Sequence, residues 1–246
     1  MGQKAIVDAE YLDATADAIR AKLGTTNGIY LKDFPFFIGQ IEGGGDASAY
    51  ARSILDRTVT EFVDPVLTHV YPYTFAMSMA LERVDIPNVE EIEDYAFYIN
   101  YALTDFNAPK VKKIGSYAMC TATKLKSVNF PVCERIGDAC FMACYDLERA
   151  DFSVLERIGE KAFSYCYSLT ALIIRSPTVC GLGTDALDGC IHFTGETEQD
   201  WNPDALKDGY IYVPRDLVEQ YKVANNWSEW ADQIRAIEDY PDICGG

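Results

Sequence analysis

The chain has 246 residues, 49% hydrophobic and 24% charged, a composition that excludes a disordered or fibrous polymer. With 38 acidic against 21 basic residues the formal net charge is −17, which disfavours nucleic acid and anionic membranes as partners. No apolar run approaches the ~20 residues of a membrane span, and the first eight residues lack a secretory apolar stretch, so synthesis in the cytoplasm is expected.

Taken in order, the chain opens with Leu12, Ala16, Ile19 and Leu23 at the spacing of one helical stripe, followed by Gly24 as a stop signal. A polar turn over residues 25–28 leads to Asp33 as N-cap and Pro35 early in a second helix, with Phe34, Phe37, Ile38 and Ile41 as its apolar residues. Two short helices cannot bury a good core alone. Residues 1–42 are therefore read as an attachment module, with Leu12, Ala16, Ile19, Leu23, Phe34, Phe37 and Ile41 docking on a partner or a sister chain. Residues 43–58 supply a Gly-rich hinge and a short helix (Ala49, Tyr50, Ser53, Ile54) that covers the open end of a repeat array.

From Val59 the sequence repeats. Leucine recurs at Leu81, Leu103, Leu125, Leu147 and Leu169, each 22 positions after the last. Val70, Ile92, Ile114, Ile136 and Ile158 keep the same step, as do Phe75, Phe97, Met119, Phe141 and Phe163. Pro65, Pro87, Pro109 and Pro131 mark the strand ends until Ser153 breaks the series. A fixed period with apolar residues at fixed phases predicts a solenoid over residues 59–190, an α/β repeat whose units bury their apolar faces only by stacking. Each unit reads as a short strand (Val84, Ile86) and a helical corner in which Ala96 is small and Phe97 fills space. Residues 191–246 are read as a C-terminal cap. They hold a last strand at Tyr210–Val213, one helical stripe (Leu217, Val218, Tyr221, Ala224), and a further helix that buries Trp230, Ile234 and Ile237.

Little of this suggests catalysis. His69 and His192 are far apart, and Cys140 and Cys144, although one helical turn apart, have no second ligand pair for zinc. The Gly181-Leu182-Gly183 run lacks the third glycine of a dinucleotide loop. Several of the eight cysteines stand where neighbouring units carry Val or Ala, so they are read as reduced core residues. No enzyme activity, cofactor or metal is expected.

Two outward rows are candidates for ligand binding. One follows the strands, with Asp85, Asn107, Asn129 and Asp151 beside Arg83, Asp105, Ser127 and Arg149. The other is Tyr73, Tyr95 and Tyr117, just before the small corner residue. Together they could form a polar-aromatic face for a host glycan or protein. Equally, such rows arise when solvated strand exteriors are copied from unit to unit.

Two resemblances add to this reading. The unit Ile158-Gly159-Glu160-Lys161-Ala162-Phe163-Ser164-Tyr165-Cys166-Tyr167-Ser168-Leu169 resembles the BspA-like class of leucine-rich repeat, with Cys144 and Cys166 at its cysteine position and Ser78, Asn100 and Ala122 departing from it. The runs Asp13–Thr26 and Asp33-Phe34-Pro35 resemble the N-terminal module of tail and other virion proteins of phages, with Leu23 where Thr is usual. The ending Tyr210-Ile211-Tyr212-Val213-Pro214, then Tyr221-Lys222-Val223-Ala224-Asn225-Asn226-Trp227, is similar to the cap found after such repeats in phage and gut-bacterial proteins. These resemblances imply a non-enzymatic virion structural protein: tail, fibre or head decoration. It would attach to other virion proteins through residues 1–42, with a homo-oligomer such as a trimer expected by analogy, and adhere to the host surface through the repeats. The alternative is a bacterial or prophage-encoded surface protein without a particle role.

Overall fold

The structure, a computed structural model, describes residues 57–194 and 208–245. The expected attachment residues (Leu12, Ala16, Ile19, Leu23, Phe34, Phe37 and Ile41) and the helix at Asp46–Ile54 lie outside the described residues.

The described chain is a parallel β-solenoid. Each turn contributes one longer and one shorter strand, and the two kinds stack into opposite walls. The long-strand wall contains β1 (Glu61–Val63), β3 (Arg83–Asp85), β5 (Asp105–Asn107), β7 (Ser127–Phe130), β9 (Arg149–Phe152) and β11 (Ala171–Ile174), then β13 (Tyr210–Val213) and β14 (Ile234–Ala236). The short-strand wall contains β2 (His69–Val70), β4 (Glu91–Ile92), β6 (Lys113–Ile114), β8 (Arg135–Ile136), β10 (Arg157–Ile158) and β12 (Gly181–Leu182). Pairing is parallel throughout and in 22-residue register up to β11, Val84 facing Phe106 and Ile114 facing Ile136.

The sequence period is a packing requirement. Leu81, Leu103, Leu125, Leu147 and Leu169 are all fully buried in one continuous core, as are Ile92, Phe97, Phe141 and Phe163. Phe75 stacks on Phe97 with centroids 5.0 Å apart, and Phe141 on Phe163 at 5.2 Å. Each such side chain contributes ~1.5–3 kcal/mol when taken from water, a gain available only when a neighbouring rung is present.

The long-strand wall is not continuous. Its hydrogen bonding divides between β5 and β7. At that rung Phe106 stands where β3 and β7 carry Val84 and Val128, and Ala108 stands where they continue with Ile86 and Phe130. Bulk is exchanged between two adjacent inward positions. Phe106 is left half-buried, edge-on to both Phe97 and Phe130.

The corners are not helical as expected. Tyr95 and Ile99 adopt left-handed φ of 59° and 60°, and the pattern repeats at Tyr117 and Thr121, Ala139 and Ala143, and Lys161 and Tyr165. Two left-handed residues four positions apart in each corner stop a helix from propagating. The N–H groups of Tyr95, Phe97 and Ile99 instead donate to Ser116, Ala118 and Cys120 of the next rung, while those of Ala96 and Tyr98 close local turns. The conformation costs ~1–2 kcal/mol per non-glycine residue. The cross-rung ladder offsets that cost.

The C-terminal segment also differs from expectation. Instead of a helix burying Trp230, Ile234 and Ile237, a 3-10 turn over Ser228–Gln233 leads into β14. Ile234 and Ala236 alternate inward around Arg235 and pair with β13, so the period of two prevails. The Tyr/Asn/Trp ending seals the short-strand wall. The Tyr221 hydroxyl accepts the Cys180 N–H at 2.9 Å, Trp227 Nε1 donates to the Cys180 carbonyl at 2.6 Å, and Asn226 donates to the Leu182 carbonyl at 2.7 Å. Backbone groups at the end of the array thereby find partners.

Candidate ligand-binding surface

The inward residues of both walls point into one core, so their outward residues face opposite directions. This separates the two rows expected to cooperate. Arg83, Asp85, Asp105, Asn107, Asn129, Arg149 and Asp151 lie on the long-strand wall, whereas Tyr73, Tyr95 and Tyr117 come directly after β2, β4 and β6 of the short-strand wall. They are two features, not one polar-aromatic face.

On the long-strand wall the polar row changes character along the axis. Arg83 reaches Glu61 at 3.1 Å, Asp105 at 3.2 Å and Asp85 at 3.8 Å, and Asn107 donates to Asp85 at 2.8 Å. Asn107, Ser127 and Asn129 are exposed. Asp151 is different: it is 7% exposed and held by Arg149 at 2.7 Å and by two bonds from Arg175 at 3.0 and 3.1 Å. Both arginines also donate to the C-terminal tail, Arg149 to the Ile243 carbonyl and Arg175 to that of Cys244. The Asp151 hydrogen bond holds the Arg175 guanidinium above its usual pKa.

The tail thus forms a roof. Outward residues Ala171, Ile173 and Tyr212 are apolar and buried under Cys244, with Tyr240 and Ile237 packed beside them. Arg149 and Asp151, expected in a ligand-binding row, clasp this roof. The open part of the wall runs from β1 to β7. Sequence reasoning missed Arg175. Its signal was position, because Arg175 falls on the column of Pro65, Pro87, Pro109 and Pro131 and is the one basic residue there.

The tyrosine row is a true stack. Tyr73 and Tyr95 lie 4.9 Å apart at 6°, Tyr95 and Tyr117 4.9 Å apart at 2°. Loss of solvent, then the neighbouring Tyr117 and Tyr73, raises the Tyr95 hydroxyl above its usual pKa. Because the rings stack on each other, the inner faces are occupied and the row offers edges and hydroxyls. A sugar ring that needs an open aromatic face finds none between them.

Neither histidine stands alone. His69 lies against Glu93 and, at 3.8 Å, Glu91, and His192 Nδ1 is 2.6 Å from Asp208. All eight cysteines are free and buried. Burial pushes Cys133 and Cys180 up to about 12 and raises Cys140, Cys144 and Cys166 above the ordinary thiol range. These thiols are packing groups, not nucleophiles.

The pattern carried by these walls is that of a known repeat class, whose description is BspA type leucine rich repeat region. It matches residues 68–194 in six copies. The chain belongs to the BspA-type leucine-rich repeat family. A solved leucine-rich repeat protein of T. pallidum shares this fold at 20% identity and a TM-score of 0.50, the match covering 60% of this chain and 67% of that one. Matches of lower TM-score include a leucine-rich repeat protein of Bacteroides ovatus (18% identity, TM-score 0.41, 72% of this chain and 65% of that one). Another is a leucine rich cell surface protein of Faecalibacterium prausnitzii (19% identity, TM-score 0.36, 66% and 56%). The chain spans less than two thirds of the length of the last two structures. No curated protein matches the chain. Within this BspA-type array, no helix among the described residues is long and apolar enough to cross a membrane.

Proposed function

We propose that this protein is a non-enzymatic interaction module, a bacterial or prophage-encoded surface protein that binds a protein or glycan through the open long-strand wall. The observation that supports this most is the unequal treatment of that wall. Its C-terminal half is apolar and roofed by the chain's own tail, whereas from β1 to β7 it presents exposed Asp105, Asn107, Ser127 and Asn129 without a roof among the described residues. One continuous core beneath β1 to β7 holds these groups, across the break in hydrogen bonding between β5 and β7, so a ligand need not order much backbone. The test measures binding of the full chain to intact gut-bacterial cells and immobilised host glycans. An Asn107→Arg/Asn129→Arg variant with an unchanged melting curve should lose that binding; retained binding would remove the assignment.

A second reading rests on the Asp13–Thr26 and Asp33-Phe34-Pro35 resemblance: a phage virion protein, attached and trimerised through residues 1–42, with the repeats projecting for host adhesion. Deleting residues 1–42 should then leave the protein absent from purified particles analysed by mass spectrometry. If the undeleted protein is also absent from particles, the surface-protein reading stands alone.

A further inference from the structure

The short-strand wall carries a feature that the proposed function does not use. An open groove of about 410 Å³ runs along it from β4 to β10, lined by Glu91, Lys113, Arg135 and Arg157 on one side and by Asp94, Ser116 and Asp138 on the other, with Glu93 at its β4 end. Lys113, Arg135 and Arg157 are paired in register on consecutive rungs, so their spacing is roughly 4.8 Å per step. Three stacked cations are unusual on a chain of net charge −17.

Between the two sides the floor is backbone. A Cβ on Gly115, Gly137 or Gly159 would come within 2.6 Å of the preceding rung's main chain, so glycine is required for stacking and leaves the floor flat. The acids of the groove already have partners. Glu91 and Glu93 lie against His69, Asp94 accepts the Ser116 N–H at 2.7 Å, and Asp138 accepts that of Glu160 at 2.9 Å. The bases are freer: Arg135 is 3.5 Å from exposed Glu156, and Lys113 and Arg157 make no ion pair with any described residue. The column carries Glu91 on the rung before Lys113 and Gly181 after Arg157, so the cationic run is confined to three rungs.

We infer that this groove binds a linear acidic polysaccharide, a chain whose carboxylate or phosphate groups follow the Lys113–Arg135–Arg157 row. Its hydroxyls would donate to the remaining oxygens of Asp94 and Asp138. A sugar chain fits better than a fully charged polyphosphate because the opposite side is acidic and the protein as a whole repels dense negative charge. The flat floor accepts a chain lying along the solenoid axis.

The test is calorimetric titration of the full chain with a galacturonate hexamer as the carboxylate source and polyglycerol phosphate as the phosphate source, with maltohexaose as the neutral control. At least one acidic probe should bind, and which one does so identifies the anion. The affinity should weaken about tenfold or more when 1 M salt shortens the Debye length to ~3 Å. The Lys113→Ala/Arg135→Ala/Arg157→Ala variant should lose about tenfold or more in affinity, while Lys126→Ala on the opposite wall should not. If the triple variant melts early, the single Arg157→Glu change reads the same site with a smaller loss. Equal binding of maltohexaose, no binding of either acidic probe, or binding unchanged in a folded Arg157→Glu variant would each overturn the inference.

Discussion

The cysteine column of the repeat contains an internal experiment. On three rungs Cys144, Cys166 and Cys190 donate their thiols to the Met119, Phe141 and Phe163 carbonyls at 3.2, 3.1 and 3.0 Å. The same column carries Asn100, which is fully buried with neither its amide nitrogen nor its oxygen hydrogen-bonded. Leaving a buried polar group unsatisfied costs ~1–3 kcal/mol, and asparagine leaves two. Asn100→Cys replaces it with a side chain of similar volume that needs no strong partner and can donate to the Phe75 carbonyl, the acceptor one rung back in the series. Allowing for partial relaxation, we expect a stabilisation of about 1–3 kcal/mol, or roughly 3–9 °C at ~3 °C per kcal/mol for a chain of this size. Calorimetric melting of wild type, Asn100→Cys and Asn100→Ala measures it, with Asn100→Ala near neutral because the lost volume offsets the removed polarity. A lower melting temperature for Asn100→Cys would refute the reasoning, because it would mean that the amide is satisfied, for example by buried water.

Other outcomes rest on the same geometry. Gly137→Ala should cost ~3 kcal/mol or more, seen as early melting, because its Cβ would lie 2.4 Å from the Ser116 nitrogen and 2.5 Å from the Gly115 carbonyl carbon. Arg175→Ala should cost ~2–3 kcal/mol by removing one partner of a nearly buried carboxylate, and should open the C-terminal tail to limited proteolysis. Alkali should destabilise the fold. Cys133, Cys140 and Cys180 have folded pKa values raised above the unfolded ~8.5 by burial, so the native state holds more protons. Stability is then full below about pH 8 and falls as pH rises towards 12, by up to ~1.4 kcal/mol per pH unit for each thiol. Melting curves at pH 8, 9 and 10 test the sign, and a flat profile would contradict it.

Much of the fold was legible because stacking forces every rung to solve the same packing problem. Leu81 and Phe97 recur because each fills the space left by its equivalent one turn away. The corner was not legible. Tyr95, Ile99 and Thr121 have no intrinsic preference for the left-handed region they occupy, and only the ladder to the next rung holds them there. The roof was hidden for a different reason: Arg149 and Ile243 are 94 residues apart, and Arg175 and Cys244 are 69 apart. No local period reports such a contact. The outward rows were readable as rows, but their wall was not, because alternation shows that a residue points out without showing which side of the solenoid it leaves from.

The two walls also differ in what they can ask of a ligand. On the long-strand wall Arg83 is surrounded by Glu61, Asp85 and Asp105, so a charged ligand there must compete with ion pairs already made. That wall has exposed Asn129 and Ser127 instead, groups suited to hydrogen-bonded contact with a neutral surface. On the short-strand wall Lys113 and Arg157 have no carboxylate among the described residues to give up, so an anion gains their charge without displacing a partner. Tyr73, Tyr95 and Tyr117 stack on one another and are not among the residues that line that groove. One continuous core therefore carries two chemically distinct surfaces.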